Sequence, residues 1–315
     1  MTRALAGARV VVLGGAGYLG SAVAARFSSA GARVRVVSRA PRPLAFPAEV
    51  VAADLTEPAE VAAAVAGTDV VLPLVLYAGA GSWRIPPEHA AAAERVNVGV
   101  VAAAVAAARG ATVVHAGTTS VAAASRTEYD RQKLAAERIV LAAGGCGLRL
   151  PTVYGPGPHG PGRGVVTAMA RRALAGDELT VWGDGAALRD LVYVDDVAEA
   201  FLTAVGYADR LAGRHWLVGT GCGVRVRGLF ERVASPVSTR TGRPPVAVTS
   251  VPPPEEAEPT DHQDLVADPS AFRAATGWRP RVPLATGVDR TVTALLHHGQ
   301  TARSPLAPGI GVSGC

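Results

Sequence analysis

Short apolar runs, most of them rich in valine, alternate with longer alanine-rich stretches through the first 150 residues. The apolar runs at 9–13, 33–37, 50–53, 70–76, 112–116 and 147–150 show little polar alternation, which predicts strands covered on both faces. The stretches at 18–30, 58–66, 87–108 and 128–143 have helical length and composition. This succession predicts an α/β fold built on a parallel sheet with helices on both faces. After Leu150 the pattern changes. Residues 151–164 hold five glycines and four prolines and read as a loop leaving the sheet. A helix over 165–175, a turn at Gly183-Asp184-Gly185, an extended segment over 186–194 and a helix over 195–207 follow. Residues 252–264 are proline-rich and acidic and read as a surface loop, and the tail from Ser304 has no periodic pattern and is expected to be disordered.

Composition narrows the function classes. The net charge is +5, but the arginines are scattered apart from Arg33, Arg35, Arg39 and Arg42, and aromatic residues make up only 5%. That is too sparse for a base-stacking surface, so no nucleic-acid partner is expected. The cysteines, Cys146, Cys222 and Cys315, form neither a metal pattern nor an even disulfide set. No uninterrupted apolar run approaches the ~20 residues of a spanning helix, and the first residues lack the apolar core of a signal peptide. The expectation is a cytoplasmic globular protein with no metal and no membrane contact.

Val10-Val11-Val12-Leu13 runs into Gly14-Gly15-Ala16-Gly17-Tyr18-Leu19-Gly20 and then into a helical stretch. Glycines at 14, 17 and 20 meet the needs of a dinucleotide loop: a tight turn, close backbone approach to a pyrophosphate, and helix packing on the strand. Strand, glycine turn and helix occur in the required order. The second strand ends at Val37-Ser38-Arg39, where an NAD enzyme usually carries an acid for the ribose hydroxyls. Ser38 and Arg39, with Arg42 nearby, instead suit a 2′-phosphate, and NADP(H) is the expected cofactor. The alternative is a solvated basic turn. Asp54-Leu55, just past the third strand, is the candidate contact for the adenine amino group.

Glu128-Tyr129-Asp130-Arg131-Gln132-Lys133 opens a predicted helix, so Tyr129 and Lys133 share one helical face. All but one of the 31 basic residues are arginine, and the single lysine is Lys133. With six tyrosines in 315 positions, a lone lysine falls four residues after one by chance about 2% of the time. A compact ammonium reaches a phenol and ribose hydroxyls together, which a planar guanidinium does poorly. The ammonium is expected to lower the phenol pKa and make Tyr129 a proton donor or acceptor near neutral pH. The strand end Gly117-Thr118-Thr119-Ser120 offers a hydroxyl for the substrate oxygen, Thr118 first among them. His115 reads as a packed residue of the strand.

Together these residues resemble the extended short-chain dehydrogenase/reductases over nearly the whole chain to about residue 295. The markers are GGAGYLG at 14–20, Asp54-Leu55, Val96-Asn97, the hydroxyl-bearing strand end, Tyr129/Lys133, Leu148 to Pro156, Gly183-Asp184-Gly185 and Arg189 to Val197. The resemblance implies a Rossmann-type doubly wound parallel sheet over 1–150, with 190–215 returning to it. It implies a smaller C-terminal substrate-binding lobe over 151–189 and 216–300, and 301–315 is left as a tail. It also implies a nucleoside-diphosphate sugar substrate, with Arg189 at the diphosphate, Trp182 near the base, and Thr118, Thr119 and Thr152 toward the sugar. Asn97 would support Lys133 or a water, and helices of the sheet domain would form a homodimer.

Ser82-Trp83-Arg84, the stretches at 94–99 and 164–172, and Tyr129 to Glu137 look most like actinobacterial NDP-4-keto-6-deoxyhexose 4-ketoreductases of antibiotic sugar pathways. That likeness implies NADPH-dependent reduction of the C4 ketone of a TDP-linked sugar. Thr119-Ser120 stands where 4,6-dehydratases of the family carry an Asp-Glu pair, so water elimination is not expected. Two departures stand out: the segment from Thr118 to Tyr129 is short for the family, and Thr152 replaces a common Asn. The alternatives are a nucleotide-sugar 4-epimerase, which uses the same residues, and a non-catalytic NADP(H) sensor.

Overall fold

The computed structural model describes residues 5–40, 42–77, 85–122, 127–157, 164–255, 257 and 261–301. Ser82-Trp83-Arg84, part of the short segment before Tyr129, and the tail beyond 301 lie outside the described residues. The strands are β1 (Arg9–Leu13), β2 (Arg33–Ser38), β3 (Glu49–Ala52), β4 (Val70–Pro73), β5 (Thr112–Thr118), β6 (Cys146–Leu150), β7 (Thr152–Tyr154), β8 (Leu179–Trp182), β9 (Leu188–Tyr193), β10 (His215–Leu217), β11 (Gly223–Arg225) and β12 (Val248–Val251). The helices used below are α1 (Tyr18–Ser29), α2 (Pro58–Val65), α3 (Pro87–Ala107), α4 (Glu128–Ala142), α5 (Val165–Ala175), α6 (Val194–Gly206), α7 (Val226–Thr241), α8 (Ser270–Thr276) and α9 (Leu284–Thr301).

A seven-stranded sheet runs β10-β6-β5-β4-β1-β2-β3, every neighbouring pair parallel. Period-two alternation sends Val10 and Val12 to one face and Val11 and Leu13 to the other. The first face packs Val23, Ala24 and Phe27 of α1 and Val197 and Phe201 of α6. The second packs Val61 and Val65 of α2, Val100 and Ala104 of α3, and Ala136 and Val140 of α4. This is a doubly wound Rossmann sheet. Its strand order reverses between β1 and β4, which opens a crevice beyond their C-terminal ends.

Two expected elements differ. The strand expected over 70–76 stops at Pro73: Leu74 N still donates to Leu13 O at 2.9 Å, but β1 ends there and Leu74 and Val75 then lie against the glycine turn at Gly14. The helix expected over 87–108 is a 3-10 turn, an α segment, a π turn at Arg95–Gly99 and a second α segment to Ala107. The wide turn carries the buried Asn97, whose side chain bonds away from its own helix. Helix α3 has the length and apolar content of a membrane span. Glu94, Arg95 and Asn97 interrupt it, and Ala93, Val100, Val101 and Ala104 are buried, as in a helix of a protein core.

The rest of the chain adds a three-stranded sheet, β11-β9-β7, and the pair β12-β8. Tyr154, Leu179, Val181 and Tyr193 form its core with α5, α7 and α9. The boundary expected at 216 is corrected at two places: β10 extends the large sheet beside β6, and Trp216, Val218, Phe272, Ala275 and Trp278 belong to the large-sheet core. The open edge of β6 needs a neighbour, and the three aromatic rings, 5.7–6.4 Å apart in sequence along the stack, fill the apolar face beside α6.

Candidate active site

The turn after β1 is built by backbone alone. Gly14 takes φ +80°, its N–H donates to Val37 O at 2.8 Å, and Gly17 N donates to Gly14 O at 2.9 Å. Helix α1 starts at Gly17 with no side-chain cap and no acid in its first turn, leaving its leading N–H groups to an anion. A Cβ on Gly20 would stand 2.3 Å from Gly14 O, so only glycine lets the helix lie this close to the turn. The side chains of Tyr18 and Leu19 point elsewhere: Tyr18 Oη donates to Gly155 O at 3.1 Å, and Leu19 packs against both cores. Their contribution to the loop is backbone.

Ser38 Oγ, at the end of β2, is buried without a hydrogen-bond partner among the described residues. Arg39 and Arg42 are exposed. Asp54 accepts from Thr56 N at 3.0 Å and Thr56 Oγ1 at 2.8 Å, and those bonds, with Arg39 nearby, hold it below the usual carboxylate range. Leu55 is 7% exposed and sits in the core under α2. Its side chain is therefore not a ligand contact, and only its backbone is available. The glycine cradle, the uncapped helix start and the orphaned Ser38 hydroxyl fit a bound dinucleotide.

The other half of the site stands at the end of β5. Thr118 is its last residue and pairs in register with Leu150 of β6. Helix α4 begins ten residues later with a reciprocal cap: Thr127 Oγ1 accepts from Asp130 N, and Asp130 accepts from Thr127 N. That cap orients the first turn and brings Tyr129 into a hydrogen bond with Thr118. Lys133, one turn on, is 6% exposed, and its Nζ donates to Ala116 O at 3.0 Å.

The electrostatics correct the expected pairing. Tyr129 is pushed up to about 12, first by burial of the phenol and then by the Asp130 charge, with the Thr118 bond opposing them. Lys133 is lowered to about 8 by burial. Lys133 Nζ donates to the Ala116 carbonyl, and the charge that raises the phenol is the Asp130 carboxylate. Asn97 bonds elsewhere in the protein. It accepts from Tyr77 N at 2.7 Å and donates to Gln132 Oε1 at 2.8 Å, and no bond among the described residues joins it to Lys133. His115 is a packed residue, 1% exposed, and burial and the Lys133 charge hold its pKa well below the ordinary value.

The residues expected at the substrate are spread over three sheets. Thr119 is buried just past β5. Thr152 follows Leu150 by two residues and pairs with Leu191 of β9. Arg189, on β9, donates to Leu188 O, Gln263 O and Asp261 O at 2.9, 2.5 and 2.7 Å, so its fork holds the 261–265 segment. Asp190 is buried and accepts from Thr220 and Gly221. Trp182 ends β8, in the separate β12-β8 pair. Sequence reasoning offered Ser120 as a neighbour of Thr118 and gave Asp130 no part, whereas the two are hydrogen-bonded. The T-x-x-D spacing at 127–130 signals the cap, but nothing in the sequence connects it to Ser120.

Residues 10–219 match the NAD dependent epimerase/dehydratase family. The chain belongs to that family. This extended short-chain dehydrogenase/reductase is 33% identical over 319 residues to the dTDP-6-deoxy-L-talose 4-dehydrogenase (NAD(P)(+)) of Kitasatospora kifunensis, covering 91% of this chain and 95% of that one. It is 37% identical over 147 residues to a UDP-glucose 4-epimerase of Mycolicibacterium smegmatis, covering 44% of this chain and 42% of the epimerase. Among solved structures, MoeE5 in complex with UDP-glucuronic acid and NAD superposes with a TM-score of 0.76 at 26% identity, over 93% of this chain and all of that one.

The buried lysine of this dehydrogenase/reductase has a pH signature. Between about pH 8 and 10.5 the unfolded chain binds a proton at Lys133 that the folded chain has lost. The Lys133 contribution to stability therefore rises with pH through that window. Lys133→Met is expected to remove this rise, and melting of the two proteins from pH 7 to 10.5 measures it. Parallel Tm profiles would show that Lys133 titrates in the fold as it does in water.

Proposed function

We propose that the protein reduces the C4 ketone of a TDP-linked 4-keto-6-deoxyhexose with NADPH. The observation that carries this reading is the Tyr129–Thr118 hydrogen bond at the mouth of a dinucleotide-binding sheet, with the only lysine buried one turn away. The full-length likeness to a dTDP-sugar 4-dehydrogenase supports the substrate class. Gly14, Gly17 and Gly20, with the backbone of Tyr18 and Leu19, would hold the pyrophosphate. Ser38, Arg39 and Arg42 would hold the 2′-phosphate, Asp54 and the Leu55 backbone the adenine, and Lys133 the nicotinamide ribose.

A bound NADPH supplies the hydride that adds to the ketone carbon. Tyr129 gives its phenolic proton to the ketone oxygen as negative charge develops there. Thr118 turns its hydroxyl to the same oxygen and fixes the carbonyl. Thr119 and Ser120 carry no acid or base for water elimination, which favours simple reduction over dehydration. Arg189 would exchange a backbone carbonyl for the sugar-linked diphosphate, for which its planar fork is suited.

The test is NADPH oxidation with TDP-4-keto-6-deoxyhexoses, followed by NMR of the product. Stoichiometric oxidation with a new C4 hydroxyl is expected. Interconversion of C4 epimers with no net NADPH consumption would establish the second reading, a nucleotide-sugar 4-epimerase, which the partial likeness to UDP-glucose 4-epimerase favours. The basic end of β2 separates the two further. Arg39→Asp is expected to weaken NADPH binding about 10-fold to 100-fold by losing one charge-assisted contact, with NADH binding little changed. Calorimetric titration with both dinucleotides checks it, and equal losses for both would refute the 2′-phosphate assignment.

A further inference from the structure

We propose that Gln132 is a positioning residue for the dinucleotide. Braced on Ala90 and Glu128, it fixes the amide of Asn97, and Asn97 in turn holds the 74–77 segment that walls the crevice beside the glycine turn. The inference rests on the dinucleotide reading above and adds to it the residue that ties the cofactor crevice to the helix carrying Tyr129 and Lys133.

Close contact defines the wall. A Cβ on Gly14 would stand 3.0 Å from Leu74 O and 3.1 Å from Val75 Cα, at the end of β4 where the crevice opens. Two residues on, Tyr77 N donates to Asn97 Oδ1 at 2.7 Å. Asn97 stands at the centre of the π turn in α3, and its Nδ2 donates to Gln132 Oε1 at 2.8 Å. Gln132 immediately precedes Lys133 on α4. Its Nε2 donates to Ala90 O at 3.1 Å and to Glu128 Oε1 at 2.9 Å. Both amide side chains are buried. The bonds therefore run from the crevice wall through α3 to α4, and from there back to the start of α3.

The two ends fix the order of these bonds. A backbone N–H only donates and a backbone carbonyl only accepts. Glu128 also only accepts, because its bond to Arg131 holds the carboxyl below the ordinary carboxylate range. Gln132 must therefore turn Nε2 to Ala90 and Glu128, which leaves Oε1 for Asn97. Asn97 must then present Nδ2 to that oxygen, and its Oδ1 is left for Tyr77 N. Neither amide can flip without setting like against like at each of its contacts. An apolar side chain at 132 would fill the space but leave the Asn97 amide free to turn, and Tyr77 N would lose its fixed acceptor. The neighbours supply no substitute. On α4, Lys133 Nζ is held by Ala116 O. On α3, Glu94 and Arg95 are exposed, as is His89, which meets the Tyr77 ring edge-on at 6.0 Å. A dinucleotide seated on the glycine turn lies against this wall, so its affinity depends on where the wall stands.

Two substitutions test this by calorimetric titration with NADP⁺, which is stable in acid, and with NAD⁺ alongside. Each Kd is divided by the wild-type Kd at the same pH, so ionisation of the dinucleotide cancels. Gln132→Met keeps the length and removes every bond, and its ratio is expected to be about tenfold at all pH values. Gln132→Glu makes the brace conditional. Protonated, the new carboxyl donates to Ala90 O or Glu128 and still accepts from Asn97. Ionised, it is repelled by both Ala90 O and Glu128 and leaves its place. Burial and Glu128 raise its pKa above the ordinary carboxylate range. Its ratio is expected to be within about threefold at about pH 5.5 and to rise to about tenfold at about pH 8.5. A residue that only supports the fold would lower Tm and leave these ratios unchanged. Hydrogen exchange of a peptide containing Leu74 to Tyr77 follows the route, and the Tyr77 amide is expected to exchange about tenfold faster in Gln132→Met. A Gln132→Met ratio within about threefold, a Gln132→Glu ratio that does not rise with pH, or weakened binding with unchanged Tyr77 exchange would each overturn the proposal. Where one variant does not fold, the other decides alone. A wild-type protein that binds neither NADP⁺ nor NAD⁺ would instead remove the dinucleotide reading, and this inference with it.

Discussion

Tyr129→Phe is expected to lower turnover in ketone reduction by about 10²-fold to 10⁴-fold, the usual contribution of a positioned general acid. NADPH affinity should stay within about twofold, because the dinucleotide cradle lies at β1 and β2 and the substitution removes one oxygen. Structural damage is not the cause of the expected loss. The phenol has Thr118 as its bonded partner, and the lost hydrogen bond is worth about 1 kcal/mol of stability. Steady-state kinetics with a TDP-4-ketosugar, combined with cofactor titration, separate these quantities. A variant that keeps more than about a tenth of wild-type turnover would remove Tyr129 from the chemistry.

The second large effect is expected at Gly20. Alanine normally stabilises a helix relative to glycine by about 1 kcal/mol, so propensity alone predicts a firmer protein. Geometry reverses the sign. The new Cβ would lie 2.3 Å from Gly14 O and 2.9 Å from Gly15 Cα, both backbone atoms of the turn. The helix must move off the strand, at about 1–3 kcal/mol for overpacking, and the leading N–H groups move with it. Dinucleotide affinity is expected to fall about 100-fold or more, since those groups are the anion site. Thermal melting and calorimetric titration of Gly20→Ala read both effects. Affinity within about threefold of wild type would mean that the turn tolerates the methyl and that the cradle is not what holds the dinucleotide.

Much of the architecture was legible because it rests on local periodicity. The runs 9–13, 33–37 and 112–116 became β1, β2 and β5, with ends extended by at most two residues. Helix α4 began at Glu128 as expected, since Thr127 and Asp130 cap it within four residues of sequence. Pairings distant in sequence were not legible. Strand β10 and the aromatic stack Trp216, Phe272 and Trp278 looked like parts of the second lobe. What assigns them to the large sheet is the open edge of β6, and the sequence carries no sign of that edge.

The same division runs through the candidate site. Residue identity was set by the sequence: three glycines at fixed spacing, a serine and an arginine closing the second strand, one tyrosine and the only lysine in the protein. These are short-range patterns whose meaning follows from side-chain chemistry and a known period. Their charges and partners were decided by the fold. The tyrosine that the sequence pairs with an ammonium is hydrogen-bonded to Thr118, and burial and the Asp130 charge move its pKa up rather than down. Burial and the direction of a hydrogen bond depend on which distant atoms come within 3 Å, and only the folded chain brings Ser120 and Asp130 together.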